Sequence, residues 1–407
     1  MNHTLPELLS PAGTYEKMCT ALHFGADAVY LAGEKFGMRA AAGNFDRPAM
    51  QRAVEYAHQK GKKVYVALNT MPGEGEIRND LSDYLDFLDE IHPDGVIAAS
   101  LGVMRECRVH HPNLAIHAST QTGCVNSYDC LSLYELGAKR IVLARELSLK
   151  DIEAIRRAVS DDLELEVFVH GSMCVSFSGR CMLSQYYTGR DANRGACTQP
   201  CRWQYHFYEE KRPEDVLTAE IHPEGTYLFG SKDLCMIDHL KELKDIGVSS
   251  LKIEGRMKSA YYTAVTTNTY RIALQKLNGE YHNISSELLH RELDSVAHRE
   301  YCTGYFFDTP QENPQLAENS GYQNEKAYLC LVERIRADGK AVCRQKNKFS
   351  VSDACAVLTP GKTAQMITVI GMYDENDHPI DTCPHPQSTI ILETDIPLNA
   401  GDIIRRA

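Results

Sequence analysis

Residues 95–145 read GVIAASLGVMRECRVHHPNLAIHASTQTGCVNSYDCLSLYELGAKRIVLAR, and their pattern decides the fold. Three short apolar runs recur every 20–25 residues: GVIAAS at 95–100, AIHAST at 115–120 and RIVLAR at 140–145. Between the last two, 127–136 has the spacing of an amphipathic helix. Strands buried on both faces cannot alternate polar with apolar residues. Apolar strands alternating with helices therefore predict a parallel sheet covered by helices.

Outward from this segment the pattern repeats. ELLSP at 7–11, AVYLA at 28–32 and KVYVALN at 63–69 precede it; LEVFVH at 165–170 and SLKIE at 250–254 follow. Helical patterns occupy 15–24, 47–60, 80–91 and 149–159. Eight strands, the first at the start of the chain, predict an α/β fold, a (β/α)8 TIM-like barrel, although a doubly wound sheet shares the pattern. Polar residues or glycine follow each run: Ser10, Gly33, Asn69, Ser100, Ser119 to Gln121, Arg145 with Glu146, His170, and Glu254 to Arg256. In a barrel these ends meet on one face, where the active site sits.

Turn chemistry alone favours polar residues at such places. It does not explain one length. Most strand-to-strand steps take about 20–35 residues, whereas strand seven to strand eight takes about 80. An insertion that long in a compact domain is usually functional or disordered, and this one is predicted on the catalytic face. The predicted organisation is a barrel over 1–280 with a cysteine loop at 170–202, a helical extension and linker over 281–325, and a small all-β C-terminal domain over 326–407. The last rests on short runs such as AYLCLVERIR, KAVCRQKNKFSV and STIILETD, separated by turn residues.

Composition is that of a globular protein, with 43% hydrophobic and 24% charged residues. The start, MNHTLPELLSPAG, does not read as a signal peptide, and no run approaches the ~18 apolar residues of a membrane span. A cytoplasmic location without membrane attachment is the expectation. A net charge of −12 argues against a general nucleic-acid binder. Locally the balance reverses, because Arg180, Arg190, Arg194 and Arg202 face only Asp191 within the cysteine loop. They are candidate phosphate contacts, or arginines of a solvated loop.

Fourteen cysteines are many for such a chain, and dispersed ones such as Cys330 and Cys343 read as small buried hydrophobes. Cys174, Cys181, Cys197 and Cys201 are different. They follow C-x6-C-x15-C-x3-C, with Gly, Ser and Arg between them rather than apolar residues. Thiolates suit zinc or iron–sulfur clusters. Structural zinc sites usually carry two closely spaced knuckles, and only the second pair has that spacing. Iron–sulfur, zinc and no metal all remain open on spacing, with Cys235 in GSKDLCMIDHL, where a helix is predicted to begin, as an alternative ligand.

The run Glu166-x-Phe168-x2-Gly171-Ser172-Met173-Cys174-x4-Gly179-x-Cys181-x-Leu183-Ser184 resembles the signature of the U32 family, historically called collagenase-like peptidases. The likeness extends over nearly the whole chain, through ELLSPAG at 7–13, GADAVY at 25–30, GACTQPCRW at 195–203, SLKIEGRMKS at 250–259 and NKFSV at 347–351. The tRNA-modifying branch of that family is the nearest in pattern. The resemblance implies a [4Fe-4S] cluster on Cys174, Cys181, Cys197 and Cys201, with Cys235 the alternative fourth ligand. It also implies oxygen-independent 5-hydroxylation of the wobble uridine in a tRNA anticodon loop, with prephenate as a co-substrate.

The peptidase reading fails on motifs. No H-E-x-x-H and no G-x-S-x-G occurs, and the one local nucleophile–base pair is Cys174 with His170. Among strand-end residues, Arg145 with Glu146, and Glu254 with Arg256, are candidates for a carboxylate co-substrate or the base, since an arginine fork matches carboxylates and phosphates. A structural ion-pair ring is the alternative, and Arg39 is a weaker candidate. His170 is expected to end strand seven facing the site. Tyr186, Tyr187, Trp203 and Tyr205 are candidates for stacking on an unpaired base, or ordinary packing residues. A protein that binds RNA around a purely structural cluster or zinc is the non-catalytic alternative.

Overall fold

The computed structural model describes residues 4–38, 43–174, 176–177, 180–203, 206–209, 212–218, 232–307 and 326–407, with backbone alone at 202, 206–209 and 212–218. Arg39, Tyr205 and the side chain of Arg202 lie outside the described residues.

The first compact unit takes in 27–258 with 1–18 and 298–322. Its parallel strands run in chain order: β1 (Glu7–Pro11), β2 (Ala28–Leu31), β3 (Lys63–Leu68), β4 (Gly95–Ala98), β5 (Ile116–Ala118), β6 (Ala138–Val142) and β7 (Glu164–Ser172). A short β8 (Asp233–Cys235) runs antiparallel along the end of β7, and β9 (Ser250–Ile253) completes the set. β9 pairs in parallel with both β1 and β7, so the eight parallel strands close into a barrel as predicted. β10 (Tyr301–Cys302) adds to β8.

Helices α1 (Tyr15–His23), α2 (Arg47–Gln59), α3 (Ser82–Ile91), α4 (Leu101–His110), α5 (Ser127–Glu135) and α6 (Leu149–Ala158) link the first seven strands. Their ends follow from sequence. The Asp46 carboxylate accepts the Ala49 amide at 2.7 Å to start α2, and Ser148 with Asp151 forms a reciprocal cap on α6. In α2 the buried Met50, Ala53, Val54 and Ala57 recur at three- and four-residue spacing, which buries one stripe and leaves the other wet.

Inside the barrel the alternate residues of each strand meet. Leu9, Ala28, Tyr30, Tyr65 and Ile97 form an apolar cluster there. Charged side chains share the interior with it, which the apolar reading of the strands did not anticipate. Arg140 reaches Glu7 at 2.7 Å, Glu164 at 2.6 Å and Glu166 at 3.1 Å, and Lys252 reaches Glu166 at 2.8 Å.

Within the insertion, the cysteine loop carries the short α7 (Leu183–Thr188), and β9 is preceded by α8 (Leu240–Ile246). Cys235 does not begin a helix. It is the last residue of β8, because the sheet continues along the extended end of β7, and a single turn follows at Ile237–His239.

The second unit comprises 19–26, 259–297 and 323–407. It holds α9 (Ala260–Leu277), α10 (Ser286–Leu293) and a seven-stranded antiparallel sheet. The strands are β11 (Tyr328–Ile335), β12 (Ala341–Gln345), β13 (Cys355–Leu358), β14 (Gln365–Ile367), β15 (Val369–Tyr373), β16 (Thr389–Thr394) and β17 (Ile403–Arg406), in the spatial order β14-β13-β17-β11-β12-β16-β15. This is the predicted all-β C-terminal domain. Its core includes Leu329, Val332, Val357, Ile390 and Leu392, with Cys330, Cys343, Cys355 and Cys383 packed among them as small hydrophobes. Within this unit Arg405 of β17 is paired with Glu292 at 3.1 Å and donates to Tyr261 at 2.9 Å.

Candidate active site

The ends of the barrel strands and the cysteine loop enclose a cavity of about 170 Å³. Its lining comes from seven barrel strands or their ends, Ile97 of β4 among them, and from the cysteine loop. Tyr30 follows from β2, Asn69 from β3, Ser119 to Gln121 from β5, Arg145 and Glu146 from β6, Phe168 and Ser172 from β7, and Lys252, Glu254 and Arg256 from β9. Cys174, Cys181, Cys197 and Cys201 complete it from the loop. The predicted catalytic face is therefore the face that holds the cavity.

Arg145 is fixed on three sides. Its guanidinium lies 3.8 Å from the centre of the Phe168 ring, donates to the Ser172 carbonyl at 2.9 Å and stands 3.8 Å from the Glu254 carboxylate. Stacking and a carbonyl anchor orient the planar fork, which a lysine could not reproduce. Tyr30 donates to the Ile253 carbonyl at 3.0 Å and to Glu254 at 3.4 Å. Arg256 is buried and donates to the Met38 carbonyl, while Lys17 donates to the Arg256 carbonyl at 3.3 Å. Lys252 sits below, 4.6 Å from the Tyr30 ring centre.

One close approach depends on glycine. Gly171 has φ +105°, and a Cβ built there would stand 2.5 Å from the Glu254 carbonyl oxygen. Only glycine lets β7 pass the end of β9 in this conformation.

The loop is pinned by its own polar side chains. Asn193 donates to the Cys181 carbonyl at 3.1 Å and accepts the Cys181 amide at 3.2 Å. The Thr198 amide donates to the Ser184 hydroxyl at 3.0 Å. Two amides point at sulfur: Leu183 to Cys181 Sγ and Gln199 to Cys197 Sγ, each at 3.4 Å. Amide donors aimed at thiolates tune bound iron–sulfur clusters. Four thiols line one cavity, two of them with such donors, a donor set whose chemistry fits a thiolate-held group. Among the described residues, no group of three or more His, Cys, Asp or Glu side chains is arranged to hold a single metal ion.

The structure separates other candidates. Cys201 lines the cavity; Cys235 is buried in β8 and is not among the lining residues. His170 does not face the cavity, contrary to the expectation from its place at the end of strand seven. The register shifts between Lys252 and Ile253 opposite Phe168 and His170, so the alternation skips a residue. His170 turns instead toward Tyr301, with ring centres 5.4 Å apart. Burial holds its imidazole down at about 3, despite Asp233 pulling the other way. Cys174 and His170 are thus not brought together at the cavity.

Of the loop arginines, Arg194 is paired with Glu76 at 2.7 Å and Arg180 donates to the Gln121 carbonyl at 2.7 Å. Arg190 is exposed, as is Tyr186. The sequence reading missed Tyr30, Phe168 and Lys252 as wall and floor. The available signal was the alternate placement of Phe168 with Glu164 and Glu166 along β7 and of Lys252 with Glu254 at the end of β9; Tyr30 in the apolar run AVYL carried none.

Residues 13–316 match the family described as Peptidase family U32, and residues 325–405 match the Peptidase family U32 C-terminal domain. The chain belongs to family U32. A Bacillus subtilis member named tRNA hydroxylation protein P1 is 34% identical over 405 residues, covering 98% of this chain and 94% of that one. An Escherichia coli protein named as a 23S rRNA 5-hydroxycytidine synthase is 37% identical over 271 residues, covering 67% of this chain and 39% of that one. A Porphyromonas gingivalis member named Collagenase is 29% identical over 334 residues, covering 79% and 78%. No helix among the described residues is long and apolar enough to cross a membrane.

Proposed function

We propose that this U32 protein is an RNA-modifying hydroxylase, acting in the cytoplasm on a tRNA anticodon loop to form 5-hydroxyuridine at the wobble position. The observation that carries the reading is that Cys174, Cys181, Cys197 and Cys201 open onto the same cavity as Arg145, Glu254 and Arg256. The names of the tRNA- and rRNA-hydroxylating relatives support the reaction class.

In this reading the four cysteines hold a [4Fe-4S] cluster, with Cys201 favoured over Cys235 because it lines the cavity. When bound, such a cluster supplies one-electron chemistry without dioxygen. The protein's own groups do the rest. Tyr30 and Phe168 offer ring faces to a flat base drawn out of its stack, as enzymes acting on a base require. Arg145, oriented by Phe168, Ser172 and Glu254, presents its fork to a carboxylate co-substrate such as prephenate. Glu254, hydrogen-bonded by Tyr30, is the proton-accepting candidate.

The test is anaerobic purification with iron and sulfide assay and a visible spectrum, for wild type and the Cys174, Cys181, Cys197, Cys201 and Cys235 to Ala variants. Nucleoside analysis of tRNA from a deletion strain complemented by each variant follows. About four irons per chain, lost in the first four variants and kept in Cys235→Ala, with modification restored only where iron is kept, supports the reading. Stoichiometric zinc, or tRNA unchanged by the deletion, overturns it.

The second reading is a peptidase, favoured by the family description and the collagenase relative. It requires gelatin cleavage by metal-free protein, lost in Cys174→Ala.

A further inference from the structure

The segment that carries the cysteines also carries large exposed side chains. Tyr186 is 82% exposed, Met182 76%, Phe177 54% and Trp203 39%. The rings are near one another: Tyr187 lies 5.1 Å from Tyr186 and 6.0 Å from Trp203, centre to centre. This face starts at the cavity, because Met182 follows Cys181 and Trp203 lies two residues beyond Cys201, and both cysteines line it.

Exposed aromatic groups of this kind mark an interaction site rather than an ordinary surface. Charge selects the partner. Residues 176–203 carry four arginines against Asp191 in a chain whose net charge is −12; Arg194 is paired with Glu76 and Arg180 donates to the Gln121 carbonyl, while Arg190 is exposed. Asp191 is itself engaged, accepting the Asn193 amide at 2.8 Å. Aromatic faces interleaved with arginines match a strand of unpaired bases and phosphates. Duplex RNA is excluded, since its base faces are already stacked inside the helix.

We propose that Tyr186, Tyr187 and Trp203 form a stacking platform for the unpaired nucleotides that flank the base in the cavity. The proposal rests on the RNA reading above and specifies single-stranded loop RNA as the ligand. It also explains why an acidic protein needs no basic surface overall: stacking, which salt does not screen, carries much of the affinity.

Trp203 is the only tryptophan of the chain, so its emission reports the platform directly. The full protein is titrated with an RNA hairpin bearing a seven-nucleotide uridine-containing loop, and separately with the same sequence fully paired. Binding is followed by Trp emission and by anisotropy of labelled RNA. The hairpin should quench the emission and the duplex should not. Tyr186→Ala should weaken hairpin binding on the order of ten-fold, and Tyr186→Phe, which keeps the ring, should restore it. Hairpin binding with unchanged emission and a wild-type Kd in Tyr186→Ala and Trp203→Ala overturns the platform while leaving the RNA reading intact. No hairpin binding by wild type at micromolar concentration overturns both.

Discussion

Glu166 and Lys252 stand 2.8 Å apart inside the barrel, on the two strands whose pairing closes it. Glu166 has no exposed surface and Lys252 is 3% exposed. Burial alone would push the Glu166 carboxyl up; Lys252 and Arg140 override it and hold it at about 2. The pair ties β7 to β9 directly beneath Phe168 and Glu254, so the closure of the barrel and the floor of the cavity share one interaction.

Lys252→Met should therefore destabilise the protein by about 3–5 kcal/mol, because it strands a buried carboxylate with Arg140 as its remaining cationic neighbour. The Glu166→Leu and Lys252→Met double variant should recover part of that loss, since a buried pair is replaced by apolar groups without an orphan charge. Denaturant midpoints at pH 7 measure both. A single-variant loss below about 1 kcal/mol would show that the pair is dispensable.

Acid should weaken the fold well before the carboxylates titrate. Burial, reinforced by Arg140, holds His117 well below its ordinary value, and burial does the same to His170. A histidine depressed in the folded state takes up a proton only on unfolding. Its stabilising contribution is complete above about pH 6.5 and is lost as pH falls toward the folded value. Each group adds a slope of about 1.4 kcal/mol per pH unit in that window. His170→Gln should flatten the decline of stability between pH 6 and 5, and an unchanged slope would show that His170 is charged in the fold.

Arg145→Ala and Glu254→Gln should lower RNA hydroxylation by about 10²-fold or more, with stability changed by about 1 kcal/mol or less because neither is fully buried. Arg145→Lys should not rescue, since a lysine keeps the charge but loses the stacked, carbonyl-anchored fork. Single-turnover rates alongside denaturant midpoints separate the two effects. Wild-type rates in both variants would make the pair a structural tie at the barrel mouth.

Thiol reactivity should divide the cysteines by place. In metal-free native protein, an alkylating reagent should reach Cys174 and Cys197 first, which are exposed. Cys107, whose thiol burial pushes up to about 12, should resist until the chain unfolds, as should Cys330, Cys343, Cys355 and Cys383 in the C-terminal core. Peptide mass spectrometry of timed samples gives the order. Early labelling of Cys343 would contradict the packed core.

Gly171→Ala places a Cβ where the Glu254 carbonyl stands, at a φ that side chains rarely adopt. It should cost about 1–3 kcal/mol and shift Glu254, so that activity falls more than stability does. Activity and stability equal to wild type would mean that β7 and β9 can move apart at this point.

Much of this protein follows from local chemistry. The eight strands are legible because β2, β3, β4 and β6 are short β-branched runs bounded by turn residues, and the pattern of β11 to β17 is legible for the same reason. The length of the step from β7 to β9 points to an insertion at the barrel mouth, and the spacing of Cys174, Cys181, Cys197 and Cys201 marks what it carries. The direction of His170 was not legible, since a single bulge opposite Lys252 and Ile253 reverses which side chains face inward, and strand period alone contains no bulge. Nor was the meeting of Arg140 with Glu7 and Glu166. Arg140 and Glu166 sit on the paired strands β6 and β7, but Glu7 is far from both in the chain, and closure of β9 onto β1 and β7 brings it within reach. Sequence alone determined which elements form and which residue types carry chemistry, because periodicity and turn preference act over a few neighbours. The tertiary structure decided which of those residues share a cavity, because that depends on the register at which distant strands pair.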